Sequence, residues 1–215
     1  MSQRIPGVTG TDPTVGGSGT NQGNVLPHSG MVVPGPLGDD AIPLADRIIT
    51  VVTKDWEPPS PRTTPEIVVG GTTLAQAGAA LDRLEEWGQG GGMLRTDPVP
   101  VGTSAAVTVH VRANLVFRLP RWTGYNRAST AAKAEWDQML AKLRIHEQRH
   151  MDIAIEEANN LAAALNGKEI SDIRQLVTDA NNTLHQRQVQ LDNDTDHGAK
   201  SGVTYGDVTL DTSIT

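Results

Sequence analysis

The stretch Leu143-Arg144-Ile145-His146-Glu147-Gln148-Arg149-His150-Met151-Asp152 decides how the rest of the chain is read. His146 and His150 stand four residues apart, so on a helix both imidazoles leave one face and can grip a single zinc ion. Glu147 sits beside the pair, where a carboxylate can take a proton from a metal-activated water. The chain has six histidines in 215 residues, and its own residue frequencies give this pattern roughly a one per cent chance of arising at random. The flanks agree with a helix over 130–165, because Ser129 is a capping residue and Gly167 a stop. Along it Trp136, Leu140, Leu143, Glu147, His150, Ala154, Ala158 and Leu161 recur at steps of three and four. One face is therefore apolar, then polar, then apolar again, and polar residues at core-facing positions mark a site. The competing reading is two histidines on a solvated face with Glu147 as a surface charge.

Working outward, a second helix is predicted from Ser171, with Ile170 as a hydrophobic staple and Ile173, Val177, Ala180, Leu184 and Leu191 as its stripe. It is expected to fray near Asn193, leaving Asp194-Thr195-Asp196-His197-Gly198 at its exit. The segment from Ala199 has weak strand character. On the N-terminal side, Val107 to Leu119 alternates apolar and polar residues with period two, as a long half-buried strand or a hairpin folded from it. Arg47 to Thr53 and Glu66 to Val69 read as shorter strands, separated by the proline-rich Glu57 to Pro61. Thr72 or Thr73 can cap a helix through Leu74, Ala77, Leu81 and Leu84 that Gly88 stops, and Gly88 to Gly92 reads as a flexible loop. Strands first and helices afterwards define an α+β class.

Composition bounds the function. The net charge is −7, from 18 Lys+Arg against 25 Asp+Glu; a nucleic-acid binder would cluster basic residues instead, so no nucleic acid is expected. No apolar run approaches the roughly 20 residues that span a bilayer, so no membrane insertion is expected. Cysteine is absent, which removes disulfides, thiolate zinc sites and thiol nucleophiles. Residues 1–45 hold nine glycines, six prolines, no aromatic residue and four charged ones. Such a segment cannot offset its ordering entropy by burial. It reads as a flexible tail that can dock on a partner protein, leaving 46–215 as the folded domain. The N-terminus lacks the apolar core of a secretory signal, so a cytoplasmic location or a non-classical export route is expected.

A catalytic zinc takes three protein groups and keeps one position open. The long helix supplies two, and downstream the eligible residues are His185, Asp192, Asp194, Asp196 and His197. An antiparallel pair of helices turning near Gly167 would bring residues near 184 level with His150, which favours His185. Against this, helix exits such as that at His197 can fold an imidazole back. Residue spacing leaves both open. His28 falls in the tail and His110 on the polar face of the long strand, where solvation is expected; His185 reads as a surface residue if it is not a ligand.

Several ordered motifs resemble a bacterial family, number 922 among the domains of unknown function, whose members are regarded as zinc-dependent proteases. Val68-Val69-Gly70-Gly71-Thr72-Thr73-Leu74 is similar to its strand, glycine turn and helix start. Leu119-Pro120-Arg121-Trp122 resembles its Leu-Pro-x-Trp signature. His146-Glu147-x-x-His150-x-x-Ile153-Ala154 resembles its helix motif, and Asp192-x-x-Thr195-x-His197-Gly198 its downstream signature. The resemblance covers about residues 47 to 200. It implies a zincin-like fold, with a strand edge above the motif helix, and a zinc-dependent endopeptidase. His146, His150 and His197 would be ligands, Glu147 the general base, and Asp192 and Thr195 groups that orient the ligand turn. A peptide substrate would pair with an edge strand, for which Val107 to Leu119 is the candidate. Tyr205, or an arginine not singled out, would stabilise the oxyanion. The alternative is a structural or docking component, or an effector delivered by its tail, whose zinc only staples the helices.

Overall fold

Why the long helix forms where it does is visible at its ends. In the computed structural model, which describes residues 43–56, 66–100 and 106–215, helix α2 runs Thr130–Leu165. Ser129 Oγ accepts from the Ala132 amide at 3.1 Å, the capping bond expected of it. Gly167 follows the last turn with φ 75°, a left-handed conformation that glycine adopts without strain. At 36 residues this helix is about 54 Å long, and it carries two separate cores.

Its C-terminal half packs under a three-stranded sheet of order β1-β4-β3, formed by β1 (Ile48–Asp55), β3 (Gln89–Pro100) and β4 (Ala106–Arg118). β1 runs parallel to β4, and β3 antiparallel to it. Val107, Val109, Val111 and Ala113 point inward at the predicted period of two and meet Ile153, Ala154, Ala158, Leu161 and Ala162. The alanines on that face let helix and sheet approach closely, while the valines fill the pleats. Helix α3 (Ile173–Thr195), entered through a short 3-10 turn at Ile170–Asp172, closes this core with Leu184 and Leu191.

The N-terminal half of α2 enters the second core. There Ala132, Trp136, Met139 and Leu143 pack against Val69, Leu74, Ala77, Leu81, Trp122 and Val208. Strands β2 (Ile67–Val69) and β5 (Pro120–Trp122) pair in parallel beside it. Helix α1 (Leu74–Leu81) starts with Thr73 accepting from the Gln76 amide at 3.3 Å. The segment after α3 folds back: Val208 N donates to Gly198 O at 2.9 Å, and Asp211 N to the Glu135 carboxylate at 2.7 Å.

Several expectations are corrected. Gly88 to Gly92 is not a loop; from Gln89 onward it is the start of β3, the longest stretch of structure that periodicity missed. The Val107 to Leu119 stretch forms a single strand, Ala106–Arg118, the central one of its sheet and paired on both sides, so it cannot offer a free edge; β3 and β1 are the edges. Helix α1 ends at Leu81, well before Gly88. Helix α3 persists to Thr195, because Thr195 Oγ donates to Leu191 O at 2.8 Å and Asp196 turns left-handed at φ 51°. The segment from Ala199 has no strand. Of the predicted tail, residues 1–42 lie outside the described residues, as does His28. The described residues all belong to the compact unit Asp40–Thr215, and none of its described helices is long and apolar enough to cross a membrane.

Candidate metal centre

The two cores leave a gap along α2, and the histidine motif fills it. His146, Glu147 and His150 are 3%, 6% and 7% exposed, so polar groups occupy positions that the helix otherwise gives to apolar ones. His146 Nδ1 lies 3.0 Å from the backbone carbonyl of Tyr205. A carbonyl can only accept, so this nitrogen carries the proton, and in the neutral ring Nε2 is left as a free lone pair. His146 Nε2 and His150 Nε2 are 3.2 Å apart, with rings crossed at 77°.

The third member comes from α3. Asp192 Oδ1 lies 3.1 Å from His150 Nε2 and 3.5 Å from His146 Nε2. Three ligand atoms thus converge within 4.8 Å of one another. Donor atoms at about 2.0–2.1 Å from a tetrahedral zinc stand about 3.3 Å from each other. The observed separations of 3.1 to 3.5 Å bracket that spacing, and two imidazoles with one carboxylate are a donor set suited to zinc. The residues present therefore fit such a cation.

His197, expected as the third ligand, lies in the wall of the same cavity but outside this set of three. It sits in the left-handed exit of α3 at φ 52°, its amide donating to Asp192 O at 2.8 Å. Thr195 Oγ accepts from Gly198 N at 3.1 Å and pins the same turn. The turn thereby fixes the end of the helix on which Asp192 is carried. Tyr205 acts through its backbone carbonyl; its ring lies 5.8 Å from the Arg149 guanidinium and packs partly against the first core, and it is absent from the cavity lining. His185 is exposed on α3. His110 is half-buried in contact with the Thr53 hydroxyl, tighter than the solvated role expected of it.

Electrostatics separate the acids. Burial pushes Glu147 up to about 7, against the opposing pull of His146 and His150, with Glu86 and Asp192 adding to the rise. Asp192 is held well below the usual carboxylate range: burial would raise it, but the hydrogen bonds from His146 and His150 and the nearby His197 outweigh that. His146 is raised, because Asp192 and the Tyr205 carbonyl outweigh a burial that alone would lower it. One carboxylate is thus fixed as an anion and the other poised near neutrality.

Glycines admit the sheet to this site. A Cβ on Gly90 would stand 2.1 Å from the Glu147 carbonyl oxygen, and one on Gly88 would stand 2.6 Å from its Oε1. The start of β3 therefore lies directly on the motif turn of α2, which only glycine permits. A cavity of about 470 Å³ opens there, bounded by Gly88 and Gly90 on one side and by Gln188 and Asp192 of α3 on another. No side-chain period reveals this strand; the signal was the glycine cluster itself, which marks close backbone approach as readily as a loop.

Fold and site together define an α+β protein in which one helix presents a histidine pair beneath the glycine-rich edge of a small sheet. The family model "Bacterial protein of unknown function (DUF922)" matches residues 69–198, more than half of the chain, and the chain belongs to that family. Comparison with curated proteins and with solved structures gives no match.

Proposed function

We propose that the chain is a zinc-dependent endopeptidase of zincin-like design, with His146, His150 and Asp192 holding the ion and His197 flanking it. The observation that carries this reading is the convergence of three lone-pair donors with Glu147 beside them, buried yet facing a cavity. Zinc bound there would supply Lewis acidity, polarising a carbonyl and acidifying a water molecule. Glu147 suits the work of a general base, since its carboxylate lies beside the histidine pair and lines the cavity, placed to take a proton and return it to a leaving amine. Glu147 is free for this role because it is not one of the three converging donors. His146 is kept in the right tautomer by the Tyr205 carbonyl. An extended peptide would lie along the start of β3; farther along, at Leu94, the Asn181 side chain already occupies the edge by bonding both its amide and its carbonyl at 3.0 Å.

Metal analysis with a broad peptide-cleavage assay tests this, comparing wild type with Glu147→Gln. The expected result is one equivalent of zinc in both and hydrolysis in the wild type alone. The donors come from both α2 and α3, which would also suit a structural staple. Zinc in both proteins with hydrolysis in neither would establish the staple and overturn the peptidase.

A further inference from the structure

Seven residues beyond His150, two turns on along the same face of α2, a further acid is buried among apolar neighbours. Glu157 is 5% exposed, and a carboxylate at that depth is costly unless a cation meets it. Arg187 of α3 does so: its Nη1 donates to Glu157 Oε1 and its Nη2 to Glu156 Oε2. The other oxygen of Glu156 accepts from Arg149 Nη1 at 2.7 Å. The guanidinium fork therefore spans two adjacent carboxylates of α2, which fixes its direction as well as its place. Among the described residues, the ion pairs between α2 and α3 are these two and the contacts of Asp192 itself. The pairs 150–192 and 157–187 show that the helices run antiparallel. Arg187 thus stands five residues, or about 7.5 Å, along α3 from the carboxylate that meets the histidines. The rest of this seam is filled by Ala154, Ala158, Leu184 and Leu191. Such side chains pack without direction, whereas Asp192 Oδ1 has to stand 3.1 and 3.5 Å from two imidazole nitrogens. A turn of α3 by one residue would swing that carboxylate about 100° away from them.

We propose that Arg187 is a positioning residue for the metal centre: held by Glu156 and Glu157, it sets how α3 lies against α2 and so keeps Asp192 at the histidine pair. This rests on the metal reading of the site, and it stands whether the ion serves hydrolysis or only staples the helices. A buried ion pair is weak ground for stability, because apolar side chains of like volume fill the same space about as well. Such side chains would not reproduce the direction that a two-pronged clamp imposes. Donor geometry at a metal depends on that direction, since the groups behind the ligands decide how well the ligands are aimed.

The test sets zinc affinity, read by competition with a chelating dye, beside the melting temperature of the metal-free full chain. Arg187→Ala alone would leave Glu157 buried and unpaired, and so would mix the two effects. The combined Glu157→Leu, Arg187→Met variant removes both charges and keeps the volume. It should melt close to the wild type and bind zinc about tenfold less tightly. Arg187→Lys keeps the charge on a single ammonium that cannot span both carboxylates, so its affinity should fall between the two; it carries the same comparison if the combined variant does not fold. In a chain that already carries Asp192→Ala, the combined change should cost no further affinity, since Arg187 acts through Asp192. Unchanged affinity in the combined variant and in Arg187→Lys would overturn the proposal. So would a loss that persists undiminished without Asp192, because it would mark a general loosening of the fold. Failure of the wild type to bind zinc is the distinct result that overturns the metal reading, and this inference with it.

Discussion

At the scale of single residues, Asp192 and His197 divide the work that the sequence offered to either. Both lie in Asp192-x-x-Thr195-x-His197-Gly198, and residue type cannot choose between a carboxylate and an imidazole as the third donor. The choice is geometric: Asp192 falls on the last turn of α3 facing α2, whereas His197 falls beyond it, where the chain has turned left-handed. Asp192→Ala should therefore lower zinc affinity by more than about a hundredfold, and His197→Ala by no more than about tenfold; competition with a chelating dye reads both, and the reverse order would make His197 the ligand. Glu147 offers a second measurement. In the metal-free protein its folded value of about 7 lies above its ordinary 4.5. Between those pH values the folded state keeps a proton that the unfolded chain has released, so this group's contribution is complete below about pH 4.5 and declines as the pH rises towards 7. The decline is on the order of 3 kcal/mol. Glu147→Gln cannot titrate, so its melting temperature relative to the metal-free wild type should climb between pH 4.5 and 7. A constant difference across that range would show that Glu147 titrates normally.

At the scale of elements, legibility followed periodicity. Helix α2 was readable because a cap, a stop and an apolar stripe agreed; β4 was readable because thirteen residues alternate without a break in their inward half. β3 was not, since Gly90, Gly91 and Gly92 carry no side chain with which to show a period, and Pro98 and Pro100 argue against a strand unless it is an edge. The same glycines make the edge fit the helix. Gly90→Ala would place a methyl group 2.1 Å from a backbone oxygen that cannot swing away. It should cost about 1–3 kcal/mol or more by thermal denaturation. Gly88→Ala meets the Glu147 side chain from Cγ to Oε1 rather than backbone, so stability should fall less than in Gly90→Ala while hydrolysis falls sharply. Equal stability loss in the two variants would contradict this contrast. Which strand was the edge was also hidden, because alternation reports a buried face and says nothing of how many neighbours a strand has.

At the scale of the whole molecule, composition sets the start of the domain at residue 46, and a 3-10 turn at Leu44–Asp46 straddles that position. Removing residues 1–42 should shift the melting temperature by less than about 2 °C, because a segment so poor in large apolar residues contributes little burial. A larger fall would show that the segment packs on the domain. Within the domain, the division of α2 between two cores explains why the site could be recognised from one helix alone. Asp192 was legible only as one candidate in the downstream signature, and Gly88 and Gly90 only as a glycine cluster; tertiary packing is what brings them to the helix.

That division also bears on the order in which the chain is made. All three strands of the larger sheet precede residue 119, whereas the helix face that covers Val107, Val109 and Val111 comes from residues beyond 150. During synthesis the sheet can thus pair before anything covers its apolar side. β1 cannot join by local contacts either, since its parallel partner lies 57 residues away at Thr53 and His110. A nascent chain halted before α2 has emerged is an uncovered sheet, the kind of species that chaperones bind and that aggregates when they are scarce.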